Sequence, residues 1–294
     1  LAIDAAEAAL PNLYWHQTPH AWRQATAVAR ERAKQVTDSD GLWLILRPLM
    51  SQIGDGHLGL KISDAMRQRD RDRPRFPLDV LWTTSGVFVL QGYGDAARVP
   101  RGARLTAIDG EDVATLFREL FVFGSHDGEI PTGVMRDASD RGLAGMLLRL
   151  RGPRTRFDIA WEFKGTLDQG NFPAVERSAR PPEADDPSPV PTPEWPDADT
   201  ASLNVPTFSN RRLRKQGLTF TGVIQDVFTQ LQTRHARNLI LDLRQNGGGS
   251  EPNEAILFSY LVDQPLRRYA FVQARKQNIA IQSASGQRFE TTVF

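Results

Sequence analysis

The 294-residue chain has no cysteine. That absence excludes thiol catalysis, cysteine-ligated zinc and disulfides, and it suits a bacterial envelope protein that avoids thiols as well as a cytosolic one. No apolar run approaches the ~20 residues needed to span a bilayer. A net charge is also missing: 36 basic residues balance 35 acidic ones to leave +1. Nothing in that balance points to a nucleic-acid or membrane-surface partner. Lysine is scarce, 5 against 31 arginines, and the arginines are scattered rather than gathered in a stripe. No His/Asp/Glu cluster has metal-ligand spacing in the sequence, so neither a metal nor a cofactor is expected. There is no internal repeat. The chain starts at Leu1 rather than Met, which leaves room for a leader removed upstream.

What is present is ample for packed cores, with 40% apolar residues, and the length favours two or three domains. The expected class is α/β, mixed α+β overall. Residues 1–62 read as a helical region. Thr18-Pro19 starts a helix carrying Trp22, Ala25, Ala29, Ala33 and Val36, and Asp38-Ser39 starts a second carrying Leu42, Leu46, Leu49, Met50 and Ile53. Gly54-Asp55-Gly56 stops it, and Leu58, Leu60 and Ile62 alternate as a strand would. Residues 64–75 read as a charged connector. A small β-domain with one or two helices follows over 63–177, with strands at Val80–Trp82, Val87–Leu90 and Phe157–Phe163, a tight turn at Asp109-Gly110, and helices near 114–121 and 143–150. Residues 178–200 hold seven prolines among acidic residues and read as a linker or long loop, with Trp195 as its one large anchor. Residues 201–294 then run strand, helix from about Thr221, strand, glycine turn and helix. This is an α/β unit with parallel strands.

The chain is organised around Asn238–Ser250, Asn-Leu-Ile-Leu-Asp-Leu-Arg-Gln-Asn-Gly-Gly-Gly-Ser. Leu239–Leu243 is short and apolar enough for a fully buried strand. Three glycines allow positive φ and a close approach of backbone N–H groups to a ligand. Ser250 and Pro252 are placed to open a helix. Strand, glycine nest and helix N-terminus together suit a phosphate, a carboxylate or a developing oxyanion. A phosphate loop lacks its Lys-Ser/Thr, because Ser-Glu-Pro follows Gly249, and a dinucleotide fingerprint fails because position 252 is proline. A tight turn without chemistry and an oxyanion hole stay open.

Four stretches together resemble the carboxy-terminal processing (tail-specific) protease family of serine peptidases, relatives of the tricorn core. Residues 241–249, Leu-Asp-Leu-Arg-Gln-Asn-Gly-Gly-Gly, resemble its glycine signature, and Gly54-Asp55-Gly56-His57 resembles its Asp-x-His turn. Residues 101–110, Arg-Gly-Ala-Arg-Leu-Thr-Ala-Ile-Asp-Gly, resemble the core of its PDZ-like module, and Val205-Pro-Thr-Phe208 resembles the strand that opens its catalytic core. They occur in the family's order across roughly 40–260. The resemblance implies a secreted or periplasmic serine endopeptidase acting on extended or unfolded polypeptide. A chain end or unfolded segment would be held by strand addition to the PDZ-like module. It implies His57 as general base in the Ser/His/Glu branch, or, in the Ser/Lys branch, a structural His57 with a lysine beyond residue 294 as base, and the backbone N–H groups of Gly248 and Gly249 as the oxyanion hole.

In that family the nucleophilic serine follows the glycine signature in a Ser-Ala-x-Glu-like turn. Here the local candidate is Ser283 in Ser-Ala-Ser-Gly-Gln, which lacks a preceding buried strand and reads better as a polar hairpin. The chain therefore reads as the front portion of a peptidase ending before its nucleophile, inactive by itself. Among the five histidines, 16, 20, 57, 126 and 235, the glycine-flanked turn singles out His57. Asp242 and Arg244 are expected to support the loop, because an Asp inside an apolar strand must be bonded or paired. Asn246 either caps the loop or touches substrate, and Asp55 next to glycine is a turn former. If the sheet around Leu239–Leu243 loses later strands, its open edge calls for a partner chain, a homo-oligomer among the candidates. The competing function is a non-catalytic relative that binds peptides or apolar ligands on this scaffold; a nucleotide-binding protein is the weaker third.

Overall fold

The computed structural model describes residues 2–180, 190–265, 267, 277–282 and 288–293. The chain divides into two compact units, Leu1–Pro181 with Gln273–Phe294, and Pro182–Val272.

The first unit opens with α1 (Ala2–Ala9), α2 (Pro19–Ala33) and α3 (Ser39–Ser51), and the latter two begin where short polar side chains bond free N–H groups. Thr18 Oγ1 accepts from Ala21 N, and Asp38 Oδ1 from Gly41 N, each the usual remedy for an orphan donor in a first helical turn. Their apolar stripes meet around Trp22, which is wholly buried and donates from its indole N–H to Glu7 at 2.8 Å. Ile3, Leu13, Ile45, Leu49 and Ile53 complete this core. Two expectations fail nearby. Residues 58–62 form no strand, because they find no pairing edge. The charged stretch after them is a helix, α4 (Asp64–Arg71), started by Ser63 Oγ accepting from Met66 N and seated by buried Met66.

A second core in this unit belongs to a sheet built from β1 (Leu78–Thr83), β2 (Gly86–Gly92), β3 (Arg104–Ile108), β4 (Glu111–Asp112), β5 (Arg156–Phe163) and β6 (Thr166–Pro173). Its order is β1-β2-β3-β5-β6, antiparallel throughout, with β4 paired to β3. The β3–β4 turn falls at Asp109-Gly110, both at positive φ, the geometry such hairpin turns require. Alternate residues of β1 and β2, with Leu105, Ile159, Trp161 and Phe172, face one core. It is covered by α5 (Val113–Phe123), α6 (Thr132–Asp137) and α7 (Gly142–Arg151). One more helix is present than expected; α6 spans six residues and has no side-chain cap to announce it.

In the second unit, β7 (Pro193–Glu194) pairs antiparallel with β8 (Thr200–Asn204), so the proline-rich stretch ends as sheet rather than linker. Trp195 does anchor it, with the Arg234 guanidinium 4.0 Å from its ring centre. After the short α8 (Asn210–Arg214), α9 (Phe220–Thr233) buries Phe220, Val223, Ile224, Val227 and Leu231. It leads to β9 (Asn238–Asp242), parallel to β8 from Thr200↔Asn238 to Asn204↔Asp242. The glycine turn and α10 (Glu251–Ser259) follow. The strand is not fully buried: Leu239 and Leu241 pack on the core, while Ile240 is 53% exposed. It is an edge strand, order β7-β8-β9, and its second face is uncovered among the described residues. The first unit also holds β10 (Gln277–Gln282) and β11 (Arg288–Val293), which pair antiparallel; Ser283–Gln287 lie outside the described residues.

Candidate active site

In the second unit, the glycine turn is laced to the segment that leaves β8. Asn246 is the central knot. Its Nδ2 donates to Val205 O at 2.8 Å and its Oδ1 accepts from Gly248 N at 2.7 Å. Gly247 N donates to Pro206 O at 3.4 Å, while Gly248 O accepts from Phe208 N at 3.0 Å and from Thr207 Oγ1 at 3.2 Å. Ser250 N returns a bond to Phe208 O at 3.2 Å, and buried Asn253 reinforces that carbonyl from α10 at 2.7 Å. Ser250 occupies the N-cap position of α10, yet its hydroxyl caps nothing.

The consequence is a division among the glycine amides. Those of Gly247 and Gly248 are committed inside the turn. The Gly249 N–H has no acceptor among the described residues and lies in an exposed stretch ahead of the helix N-terminus, an environment that favours negative charge. Of the two expected oxyanion donors, Gly249 is therefore open and Gly248 is occupied. Gly249 must be glycine: at φ +150°, a Cβ would stand 2.4 Å from the backbone of Phe208 and Ser209. Gly248, at φ +84°, needs glycine for its conformation but has open space around it.

Asp242 and Arg244 hold the other end of the turn. The Arg244 side chain donates through Nε and Nη2 to the Asp242 carboxylate at 3.0 and 2.7 Å, and its backbone N–H adds a third bond at 3.0 Å. The side-chain bonds first, and the backbone bond next, lower the Asp242 carboxyl from the ordinary 3.8 to about 2. Arg244 is itself exposed, so this is a surface clamp on the loop.

In the first unit, Gly54 takes φ +69° to end the helical region, and Asp55 forms the turn as expected. Its Oδ1 accepts from His57 N at 2.8 Å and its Oδ2 from Asn12 Nδ2 at 3.0 Å. The His57 ring is 97% exposed, with Nδ1 3.8 Å from Asp55 Oδ1, beyond hydrogen-bond reach. The fold also brings Asp127 to this turn, where Oδ1 accepts from Gly56 N at 2.7 Å. Ligand atoms of Asp55, His57 and Asp127 thus lie within 4.8 Å of one another, a grouping hidden in the sequence because Asp127 stands 70 positions beyond His57. Both carboxylates also accept N–H groups that close the turn.

His126 is the more firmly held histidine, and no local pattern distinguishes it. Its ring stacks on Phe121 at 3.9 Å, Nδ1 meets Gly128 O at 2.6 Å, and Nε2 meets Ser51 Oγ at 2.9 Å. The Gly128 carbonyl only accepts, so Nδ1 carries a proton, while the Ser51 hydroxyl beside Nε2 also donates to Gly124 O at 2.9 Å. Ser51 is buried, which makes this pair a strut between α3 and the loop after α5. The signal that could have found it is the small polar residue ending an otherwise apolar helix.

Residues 199–292 match peptidase family S41. Among solved structures, mature CPAF complexed with lactacystin aligns with a TM-score of 0.65 at 16% identity, covering 90% of this chain and 58% of that one. Mature CPAF aligns at 0.61 and 17%, covering 90% and 57%. A CPAF mutant with serine replaced by alanine aligns at 0.54 and 15%, covering 85% and 56%. At such identities the likeness is one of fold, and the present chain spans less than three-fifths of the structures it matches. No curated protein matches it in sequence.

Proposed function

We propose, from the match of residues 199–292 to peptidase family S41, that the chain forms part of a serine-type peptidase that cleaves extended polypeptide. The observation that carries the proposal is the open Gly249 amide, held in a rigid turn ahead of α10 where an oxyanion would be received. In the proposed reaction a serine hydroxyl attacks the scissile carbonyl, His57 takes its proton, and the carbonyl oxygen, now negative, accepts from Gly249 N–H. The nucleophile is left unassigned; Ser51 is too buried to attack a polypeptide.

The reading extends to substrate capture by the six-stranded sheet as a PDZ-like module. Strand addition at β1 meets an obstacle, because Val80 already exchanges hydrogen bonds with Asp140 at 3.2 and 2.6 Å and Trp82 N donates to Ser139 Oγ at 2.9 Å. Addition is then left to β6, the opposite edge of the sheet. A periplasmic or secreted location is part of the same proposal and rests on the resemblance to tail-processing proteases.

The deciding experiment expresses the complete open reading frame, with and without His57→Ala, and follows cleavage of an unfolded protein. Loss of cleavage in the variant with unchanged folding supports the assignment. Undiminished cleavage removes His57 as base. A second reading, a non-catalytic relative that binds peptides, is favoured by the unsupported His57 ring; it predicts peptide binding without cleavage by the complete protein.

A further inference from the structure

In the first unit, α3, the end of α5, α7 and residues 59–62 surround a cavity of about 380 Å³, within the range of small-molecule sites. Its walls are largely apolar, formed by Trp43, Leu60, Phe123, Met146 and Leu150. The Trp43 indole N–H donates to Leu60 O at 3.0 Å, and its ring lies 6.1 Å from that of Phe123, so the wall is braced from two sides.

The charges lining this cavity are four cations, Arg47, Lys61, Arg67 and Arg149, and one acid, Asp137. Two of the cations are accounted for. Arg47 is buried, donates to Phe123 O at 2.7 Å and Ser125 Oγ at 2.8 Å, and feels the charge of Asp137. Arg67 pairs with Asp64 at 3.0 Å. Lys61 and Arg149 have neither a hydrogen-bond nor an ion-pair partner among the described residues. The Nε of Arg149 is enclosed with no acceptor, a costly arrangement for a buried donor. Arg75, Arg151 and Arg180 also enclose an unbonded Nε, but their terminal N–H groups are bonded, to Asp70 O, Glu111 and Asp79. Arg149 alone of these has nothing. An apolar cavity with an unanswered guanidinium and a free ammonium lacks an apolar anion.

We propose that this cavity binds an apolar carboxylic acid of medium chain length, its chain against Trp43, Phe123 and Met146 and its carboxylate taken by Arg149 with Lys61 beside it. A planar carboxylate matches the guanidinium fork with two parallel bonds. One negative charge suffices, since only these two cations lack partners and Asp137 disfavours a more highly charged group. The site draws on nothing in the peptidase reading and stands or falls apart from it.

Calorimetric titration of the whole chain with decanoate, 1-decanol and decylamine tests this, alongside Arg149→Gln, Lys61→Gln and Met146→Trp. Decanoate is expected to saturate a single site, with decanol and decylamine at least about tenfold weaker, the worth of a hydrogen bond to a charged group. Arg149→Gln weakens decanoate by about the same factor and leaves the melting temperature unchanged or higher, because the guanidinium has no partner to lose. Met146→Trp fills the cavity and abolishes binding; Lys61→Gln, at an exposed position, keeps the test valid should the tryptophan variant misfold. Decanol binding as tightly as decanoate, no saturable decanoate binding, or decanoate affinity unchanged in both Arg149→Gln and Lys61→Gln overturns the proposal.

Discussion

Two adjacent glycines in the turn after β9 are expected to respond very differently to one added methyl group. Gly248 sits at φ +84° with nothing within 4 Å of an added Cβ, so Gly248→Ala meets only the penalty of a left-handed conformation, about 1–2 kcal/mol. Gly249 sits at φ +150°, and its Cβ would stand 2.4 Å from Phe208 C and Ser209 N and 2.9 Å from Phe208 O. Backbone of this kind cannot swing aside as a side chain can. Moving it would break the Phe208 N–Gly248 O and Ser250 N–Phe208 O bonds that close the turn. Conformational strain of about 1–3 kcal/mol and overpacking of about 1–3 kcal/mol add to about 2–6 kcal/mol for Gly249→Ala. Hydrogen exchange of the α9 and β8 amides reads the loss in the second unit without interference from the first. Equal losses for the two variants would refute the steric argument, and a larger loss at Gly248 would show that its apparent free space is filled.

The Asp242–Arg244 clamp makes the same turn sensitive to acid. The folded Asp242 carboxyl, at about 2, lies below the ordinary 3.8, so its stabilisation is complete above the unfolded value and disappears as pH falls from about 4 through about 2. Carboxyl NMR should show the low titration in the wild type and a return toward 3.8 in Arg244→Gln. In the first unit, buried Arg180 donates to Asp79 Oδ1 at 2.8 Å and to Phe76 O, and stacks over Tyr93 at 4.9 Å. Arg180→Met leaves the buried Asp79 charge supported mainly by Tyr93 Oη at 2.5 Å and should cost about 3–5 kcal/mol in thermal or urea unfolding. Adding Asp79→Asn should restore much of that loss, and failure to do so would place the cost in packing rather than charge.

Legibility followed the range of each interaction. The caps at Thr18 and Asp38, the turn at Asp109-Gly110 and the stripe of α9 are set by neighbours within four residues, and each appears where the pattern put it. Asp242 was legible as a residue in need of a partner because a carboxylate in an apolar run has few alternatives, and Arg244 two positions on supplies it. What sequence did not disclose depends on distant partners. The pairing of Asp140 with Val80 spans sixty positions, that of Ser51 with His126 seventy-five, and no local spacing encodes either. The committed amide of Gly248 was equally hidden. A triple glycine signals that N–H groups can be presented, but only the placement of Asn246 decides which one is consumed.

Strand β9 shows the opposite kind of error. Its composition is that of a strand covered on both faces, yet Leu239 and Leu241 alone meet the core while Ile240 and Leu243 stand 53% and 41% exposed. Inward and outward residues of a strand alternate with a period of two. A one-sided strand of a soluble sheet would therefore carry a polar residue at Ile240. Its isoleucine has no stabilising role in the exposed position it occupies, since apolar area contributes only when removed from water. The apolar run thus encodes a second covered face that the described residues do not supply. The Ile240 side of β9 is where the fold of this unit is least satisfied, just ahead of the turn that carries the open Gly249 amide.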